Sequence, residues 1–186
     1  MNPAVTITYW MLGKIAGLDA ALYVIAQFAG GLTGVLVSSV LVGPALAEGP
    51  VNFAATVPGP DGPWMALIGE LLISGVLMFS ILTASNSPGL SRRTPFMAAT
   101  LIALYITFEA PLSGMSMNPA RTVASAAWGH TWTALWIYFV APLGGMLTAA
   151  AIFRGRVHCA KLDHHNNQPC IFHCKFGELN ARQFTL

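Results

Sequence analysis

The longest apolar stretches of the chain have the length of membrane-spanning helices. Residues 20–42 and 131–153 each run for 23 positions without a formal charge, and residues 63–84 run for 22 positions with one charge, Glu70. A fourth stretch, residues 94–108, is apolar for 15 positions, and its apolar character resumes after one charged position. Since a helix needs about 20 apolar residues to cross a bilayer, this pattern predicts an all-α membrane protein with four transmembrane helices.

Composition agrees with a membrane protein. Only 9% of the 186 residues are Asp, Glu, Lys or Arg, and 55% are hydrophobic, whereas a soluble domain carries about 25% charged residues. The formal net charge is +2, so we expect membrane lipid around the chain and no nucleic acid partner. Composition excludes a disordered chain and most soluble enzymes. We expect no enzymatic activity, because no nucleophile–base pair is visible.

The basic residues fall almost entirely on one predicted side of the membrane. With four crossings, residues 1–19, 85–93 and 154–186 share a side, and eight of the nine Lys and Arg residues lie there. The positive-inside rule makes this side the cytoplasm. We therefore expect a multi-pass protein of the plasma or inner membrane with a cytoplasmic C-terminal tail. The exception, Arg121, lies near an apolar run on the outer side and calls for a functional explanation.

A repeated hexapeptide decides the predicted architecture. The sequence MNPAVT at residues 1–6 recurs as MNPART at residues 117–122, with five of six positions identical. Three predicted crossings separate the copies, and an odd number of crossings inverts the second copy relative to the first. Inverted repeats occur in channels and transporters whose site lies at the interface between the repeats.

Each copy of the repeat is predicted to begin a short helix. Asn is a favoured N-cap, and Pro is favoured at the first helical position. The Asn oxygen would accept from the helix's own N–H groups, which leaves its NH₂ as a donor. Two such half-helices meeting end to end would bring two donors and two positive dipole ends together, where they orient water and repel cations and protons. The predicted pore residues are Asn2, Pro3, Ala4, Asn118, Pro119 and Ala120.

These paired motifs resemble the two pore motifs of the aquaporins, the major intrinsic proteins, over residues 1–155. The resemblance implies an aquaporin-like inverted-repeat bundle that assembles as a homotetramer with one pore in each subunit. It also implies a passive channel for water and small neutral solutes, such as glycerol or ammonia, that excludes ions and protons and needs no cofactor. The family pattern has six transmembrane helices and two half-helices. The first two helices are absent here, so we expect a chain truncated before its first pore motif.

The resemblance assigns an outer selectivity filter. Arg121 directly follows the second motif, at the place of the family's filter arginine, which would donate to water or a solute hydroxyl and repel cations. Ile106 and Met115 match two further filter positions by their spacing from Asn118. Strict water channels have His at the first of these positions and a small residue at the second, so a more apolar filter is expected to admit small neutral solutes. The backbone carbonyls that would line the pore are those of Ser113, Gly114, Met115 and Ser116.

Several further residues are expected to support the pore. A glutamate that matches Glu70 accepts hydrogen bonds from the outer re-entrant loop in the family. Gln27 would support the first half-helix, with an interhelical hydrogen bond as the alternative. Glu109 is expected to be solvated at the outer mouth. Close helix packing is expected at Gly30, Gly31, Gly34, Gly144 and Gly145.

The tail, residues 156–186, forms a separate Cys/His-rich region that holds all three Cys and four of the five His residues. Cys and His are zinc ligands, which makes Cys159, Cys170, His173 and Cys174 metal-ligand candidates. Their spacing matches no standard zinc finger, so we assign no metal site, and a regulatory or interaction tail is the alternative.

Two other function classes stay open. A secondary transporter also uses inverted repeats and broken helices, but no predicted span except that of Glu70 carries an acidic residue that could couple ions. The absent first two helices leave room for a truncated, non-conducting membrane protein.

Overall fold

The computed structural model describes residues 2–49, 51–87 and 89–156, and within these ranges the chain is helical, without a strand. The predicted all-α class is confirmed. The helices are α1 (Pro3–Met11), α2 (Gly17–Val42), α3 (Pro63–Ser85), α4 (Thr94–Phe108), the single turn α5 (Ala110–Ser113), α6 (Pro119–Gly129) and α7 (Ile137–Arg156). Three 3₁₀ turns lie at Gly43–Leu46, Asn52–Ala54 and Ser91–Arg93.

Three helices of the described part are long and apolar enough to cross a membrane, namely Gly17–Leu46, Pro63–Ser85 and Ile137–Arg154. The fourth predicted span, α4, has the predicted bounds but only 15 residues. At about 1.5 Å per residue it is about 22 Å long, which is less than the apolar thickness of about 30 Å. Pro111 lacks the N–H that a continuing helix would need, and the chain turns into α5 instead.

The last span begins six residues later than the sequence predicted, at Ile137 instead of residue 131. His130 ends α6 with a φ of 50°, and Ala134 also has a φ of 50°. A left-handed backbone at these positions cannot belong to an α-helix. Residues 131–136 are therefore not helical, with turns at residues 133–136, and the apolar pattern alone did not distinguish them from helix.

The centre of the molecule is the contact between α3 and α7, the most extensive between any two described elements. Gly145 of α7 lies so close to α3 that a Cβ there would collide with the carbonyl oxygen of Leu71. Gly144 has no such neighbour within 4 Å. Of this predicted pair, only Gly145 is a close-packing position, because helical geometry turns adjacent residues to different sides.

The two half-helices α1 and α6 pack against this centre and against α2. Ala4 of α1 is fully buried in an apolar cluster with Met78 and Met146. Gly31 of α2 allows α6 to approach closely, since a Cβ there would lie 3.1 Å from the carbonyl oxygen of Ala120. Gly30 and Gly34 have open space instead, so the prediction of close packing is wrong for these two residues.

Candidate functional site

Each half-helix is capped by its own Asn, as predicted. Oδ1 of Asn2 accepts from the backbone N–H of Ala4 at 2.9 Å, and Oδ1 of Asn118 accepts from Ala120 at 3.1 Å and from Arg121 at 3.3 Å. Pro follows the cap in both copies, where its missing N–H leaves nothing unpaired. The repeated sequence therefore produces the same local structure twice.

The N-termini of α1 and α6 meet at these caps. Nδ2 of Asn2 donates to the backbone carbonyl of Met117 at 2.6 Å, and Met117 directly precedes the second Asn-Pro-Ala motif. An amide NH₂ has two N–H donors, and this bond takes one of them and fixes the plane of the amide. The sequence predicted that the amide would be fixed by capping alone, whereas the structure adds this bond from one motif to the other.

The loop before the second motif is built around the carboxylate of Glu70. This residue of α3 is fully buried. Its oxygens accept from the backbone N–H of Ser116 at 2.5 Å, from that of Met117 at 2.8 Å, and from the hydroxyl of Ser113 at 3.2 Å. The predicted support of the outer loop is present. Ionised carboxylates are strong acceptors for backbone N–H groups, so this single side chain holds the non-helical backbone in place.

A chain of hydroxyl groups, which the sequence did not predict, joins this loop to the connection between α2 and α3. Ser116 and Thr122 are hydrogen-bonded through their hydroxyls, and the hydroxyl of Thr56 donates to that of Thr122 at 3.0 Å. Thr56 is 2% exposed. It lies in a connection without helical or strand periodicity, so no sequence pattern singled it out.

Beside the second motif lies a cavity of about 630 Å³ between α2, α6 and the turn at Asn52–Ala54. Asn118, Arg121 and Gln27 supply polar groups to its wall. Nη1 of Arg121 is buried, and no described residue accepts a hydrogen bond from it. An unpaired buried donor is costly, so the site is suited to a passing group that carries an acceptor oxygen or nitrogen.

The two other predicted filter residues do not line this cavity. Ile106 of α4 is 57% exposed. Met115 is 6% exposed and packs in an apolar cluster with Ile73 and Leu77 of α3. The φ of 45° at Met115 sets the direction of its side chain. Of the three predicted filter residues, only Arg121 lines the cavity, and a filter role of Ile106 or Met115 stays a prediction.

Two of the predicted carbonyl acceptors, Ser113 and Gly114, lie in closely packed surroundings. The carbonyl of Ser113 accepts from the hydroxyl of Tyr138 at 2.6 Å, inside the packed core. Gly114 has a φ of 82° and packs against the backbone of Val57. None of the carbonyl-bearing residues 113–116 lines the cavity. The carbonyl of Ser113 satisfies the buried Tyr138 hydroxyl, which needs an acceptor, and a pore-lining role of the carbonyls of residues 113–116 stays a prediction.

Gln27 forms an interhelical hydrogen bond with the first half-helix, which fits both the expected support of that helix and the alternative of a packing contact between helices. Its Nε2 donates to the hydroxyl of Thr6 on α1 at 2.8 Å. Gln27 also lines the cavity, so one amide both positions α1 and faces the candidate pore.

Glu109 is not the solvated residue that the sequence predicted. It follows the last residue of α4, and both carboxylate oxygens are buried without a hydrogen-bond partner among the described residues. One of them lies against Gly69. Burial raises the pKa of Glu109 from 4.5 to about 7; the Ser113 hydroxyl opposes this rise, and the charge of Glu70 adds a smaller one. The folded α4–α5 junction therefore favours the protonated form of Glu109.

The titration of Glu109 is expected to make the folded protein less stable as the pH rises. Because its folded pKa of about 7 exceeds the ordinary 4.5, the folded state holds this proton more tightly than the unfolded state between those values. The favourable contribution is complete below 4.5 and is lost as pH rises through 7. Glu109→Gln, which stays neutral, should melt at a higher temperature than wild type above pH 7 and should show a smaller fall with pH.

Melting curves of detergent-solubilised protein, recorded below pH 4.5 and above pH 7, measure this difference. Glu48→Gln is the matched control, because Glu48 is an exposed acidic residue of the α2–α3 connection. A Glu109→Gln protein whose melting temperature follows pH as steeply as wild type would contradict the assignment.

The metal-ligand candidates Cys159, Cys170, His173 and Cys174 lie outside the described residues, as does the boundary of the predicted tail beyond residue 156. Within residues 2–156, apart from the two undescribed positions, no group of three or more His, Cys, Asp or Glu side chains could hold a metal ion.

The fold and the site define an all-α membrane protein in which two capped half-helices meet by their N-termini. A family model described as Major intrinsic protein matches residues 1–153. The chain belongs to this family, as the paired motifs predicted.

Known relatives agree. The chain is 34% identical to a probable aquaporin NIP-type of Nicotiana alata over 134 residues, which cover 71% of this chain and 47% of the relative. It is 35% identical to the probable aquaporin AqpM of Archaeoglobus fulgidus over 127 residues, or 66% of this chain and 50% of the relative. The chain thus spans about half the length of these curated relatives.

The fold is also similar to a solved structure. The X-ray structure of the aquaglyceroporin from Plasmodium falciparum superimposes with a TM-score of 0.71 at 20% identity, and the match covers 85% of this chain and 72% of that chain. The likeness shows that this chain has the same fold.

Proposed function

We propose that this chain forms the conducting part of a passive channel for water and small neutral solutes. The observation that carries the proposal is the junction of the two half-helices, where Nδ2 of Asn2 bonds to the carbonyl of Met117 at 2.6 Å. Arg121 directly follows the second Asn-Pro-Ala motif and lines the adjoining cavity. The names of the relatives, aquaporins and an aquaglyceroporin, support the same function.

The arrangement explains how ions would be excluded. The N-terminus of each α-helix carries a partial positive charge of about half an elementary charge, and two such ends meet here beside Arg121. A cation approaching the junction is repelled by all three. A water molecule can replace its hydrogen bonds to other water molecules by hydrogen bonds to the Asn amides and the guanidinium. The positive ends of the half-helices also oppose the passage of protons.

The contacts of Glu70 favour a channel over a secondary transporter. In proton-coupled transporters an intramembrane carboxylate commonly binds and releases the proton. The carboxylate of Glu70 instead accepts three hydrogen bonds from the loop before the second motif. Releasing them would dismantle the loop at each cycle, so Glu70 is a structural residue.

We further propose that the protein assembles as a homotetramer with one pore in each subunit, in the plasma or inner membrane. The basic residues place the C-terminal tail in the cytoplasm in this proposal. Lipid surrounds the apolar outer faces of the spanning helices.

Stopped-flow light scattering of proteoliposomes that contain the full chain tests conduction. We expect water permeability severalfold above that of empty liposomes, linear in the osmotic gradient and independent of ion gradients. Saturable flux that requires an ion gradient would identify a transporter. Permeability equal to that of empty liposomes, with folded protein in the membrane, would identify a non-conducting protein and overturn the proposal.

Arg121→Ala should widen the passage and remove its fixed charge. We expect uptake of glycerol and ammonia to rise severalfold relative to water, because alanine, unlike the larger arginine, leaves the cavity beside Asn118 open. Solute-uptake kinetics in the same proteoliposomes measure the change. Arg92→Ala removes an equal charge from an exposed position after α3 and should leave the ratio unchanged. Equal ratios for both variants would count against Arg121 as a filter residue.

A further inference from the structure

The connection between α2 and α3 contains three successive residues in the left-handed region of backbone conformation. The φ angles are 33° at Asn52, 53° at Phe53 and 52° at Ala54. None of them is glycine, and L-residues other than glycine adopt this region rarely. Such a conformation persists only where surrounding contacts hold it, and it is common at functional sites.

The contacts that hold it reach the C-terminal end of α6. Nδ2 of Asn52 donates to the hydroxyl of Thr131 at 3.1 Å. Gly129, the last residue of α6, leaves the space that Asn52 occupies, since a Cβ there would lie 3.0 Å from Oδ1 of Asn52. One end of the segment is therefore fixed to the half-helix.

Two further contacts fix the rest of the segment, residues 52–59, which we call the outer strap. Thr56 donates to Thr122 in the first turn of α6, at 3.0 Å. The backbone N–H of Gly59 donates to the carbonyl of Leu112 in α5, at 2.9 Å. The outer strap thus spans the length of α6 and then joins α5, so its position relative to the second pore motif is set.

This placement brings Phe53 to the cavity that Arg121 and Asn118 line. Most other residues of the wall are small, including Gly30, Gly34 and Ala124. Among the described wall residues Phe53 is the sole aromatic. Phe53 is therefore the bulkiest apolar residue of the cavity wall to which Arg121 belongs.

We propose that Phe53 is a specificity-determining residue of the outer mouth, and that its ring limits the size of the neutral solutes that reach Arg121. This inference rests on the proposed channel function. The solutes concerned are small polyols and amides, which carry an oxygen for the guanidinium but exceed water in width. The strained turn serves to present the ring, because the side chain of a residue with φ near 53° leaves the backbone in a direction that an ordinary turn does not give.

The test is solute uptake by proteoliposomes that contain the full chain with Phe53→Gly or Phe53→Trp. Glycine adopts a positive φ without strain, so Phe53→Gly removes the ring and preserves the turn. We expect glycerol and urea permeability to rise severalfold and water permeability to change less. Phe53→Trp keeps an apolar ring of larger size and should lower glycerol permeability below wild type. This second variant keeps the test decisive if Phe53→Gly fails to fold.

Val51→Ala is the matched control, because Val51 precedes the outer strap, is 45% exposed and does not line the cavity. It should behave as wild type. Water conduction with a solute cut-off that neither Phe53 variant changes would overturn the inference and leave the proposed function standing. Wild-type vesicles as tight to water as empty ones would overturn both.

Discussion

Glu70→Gln is expected to abolish water conduction and to lower the free energy of unfolding by about 3 kcal/mol, since hydrogen bonds to charged groups contribute about 1.5–3 kcal/mol each. The glutamine keeps one acceptor oxygen, but its NH₂ group faces a backbone N–H of the loop. At least one of the N–H groups of Ser116 and Met117, both now bonded to Glu70, would be buried without an acceptor. The loop would then rearrange and displace Asn118.

Ser74→Ala is the matched control for this change. Ser74 lies one helical turn further along α3, is fully buried, and its hydroxyl has no hydrogen-bond partner among the described residues. Removing that hydroxyl should leave stability equal or slightly higher. Thermal unfolding in detergent and water flux in proteoliposomes measure both effects. If Glu70→Gln melts and conducts like Ser74→Ala, the carboxylate does not organise the loop.

The half-helices could be predicted from the sequence because capping is a local interaction. Asn2 and Asn118 bond to N–H groups two and three residues away, and Pro at the next position reports the same helix start. The repeat then supplied a long-range relation that no periodicity could give. Glu70 was recognisable for a different reason, because a lone carboxylate in an apolar span stands out against its neighbours.

The outer strap could not be predicted in the same way. Thr56 bonds to Thr122 across 66 positions of sequence, and the left-handed turn at Phe53 has none of the glycines that usually mark positive φ. Both depend on where α6 lies in the folded chain. The burial of Glu109 was missed for the related reason that burial after a helix end depends on how the chain turns. The number of residues that separate a position from Asn118 gives no information about how the chain turns between them.

The glycine pair of α7 shows what a sequence pattern leaves unresolved. Gly144 and Gly145 look equivalent in the sequence, yet only Gly145 contacts α3. Apolar surfaces in lipid gain little from association, so small residues that allow close backbone approach decide where helices meet. The structure therefore predicts that the same substitution, glycine to alanine, has opposite effects at these two adjacent positions.

Gly145→Ala is expected to separate α7 from α3 and to lower the free energy of unfolding by about 3 kcal/mol, the upper range for an overpacked core. The new methyl group would collide with the carbonyl oxygen of Leu71 and lie 3.0 Å from the backbone nitrogen of Gly75. Backbone atoms of a helix cannot rotate aside as a side chain can. Glu70 precedes Leu71, so the displaced segment of α3 would carry the carboxylate away from Ser116 and reduce water conduction as well.

Gly144→Ala makes the same chemical change one residue earlier, where no described atom lies within 4 Å of the added carbon, apart from the adjacent residues and the nearby backbone of α7 itself. It should leave conduction unchanged and raise stability by up to about 1 kcal/mol, because alanine favours a helix more than glycine does. Melting temperatures in detergent and water flux in proteoliposomes, measured on both variants together, test the contrast. Equal melting temperatures for the two variants would show that α3 and α7 do not approach at Gly145. The direction of each shift, opposite for adjacent residues, cannot arise from the general effect of adding a methyl group to a membrane helix.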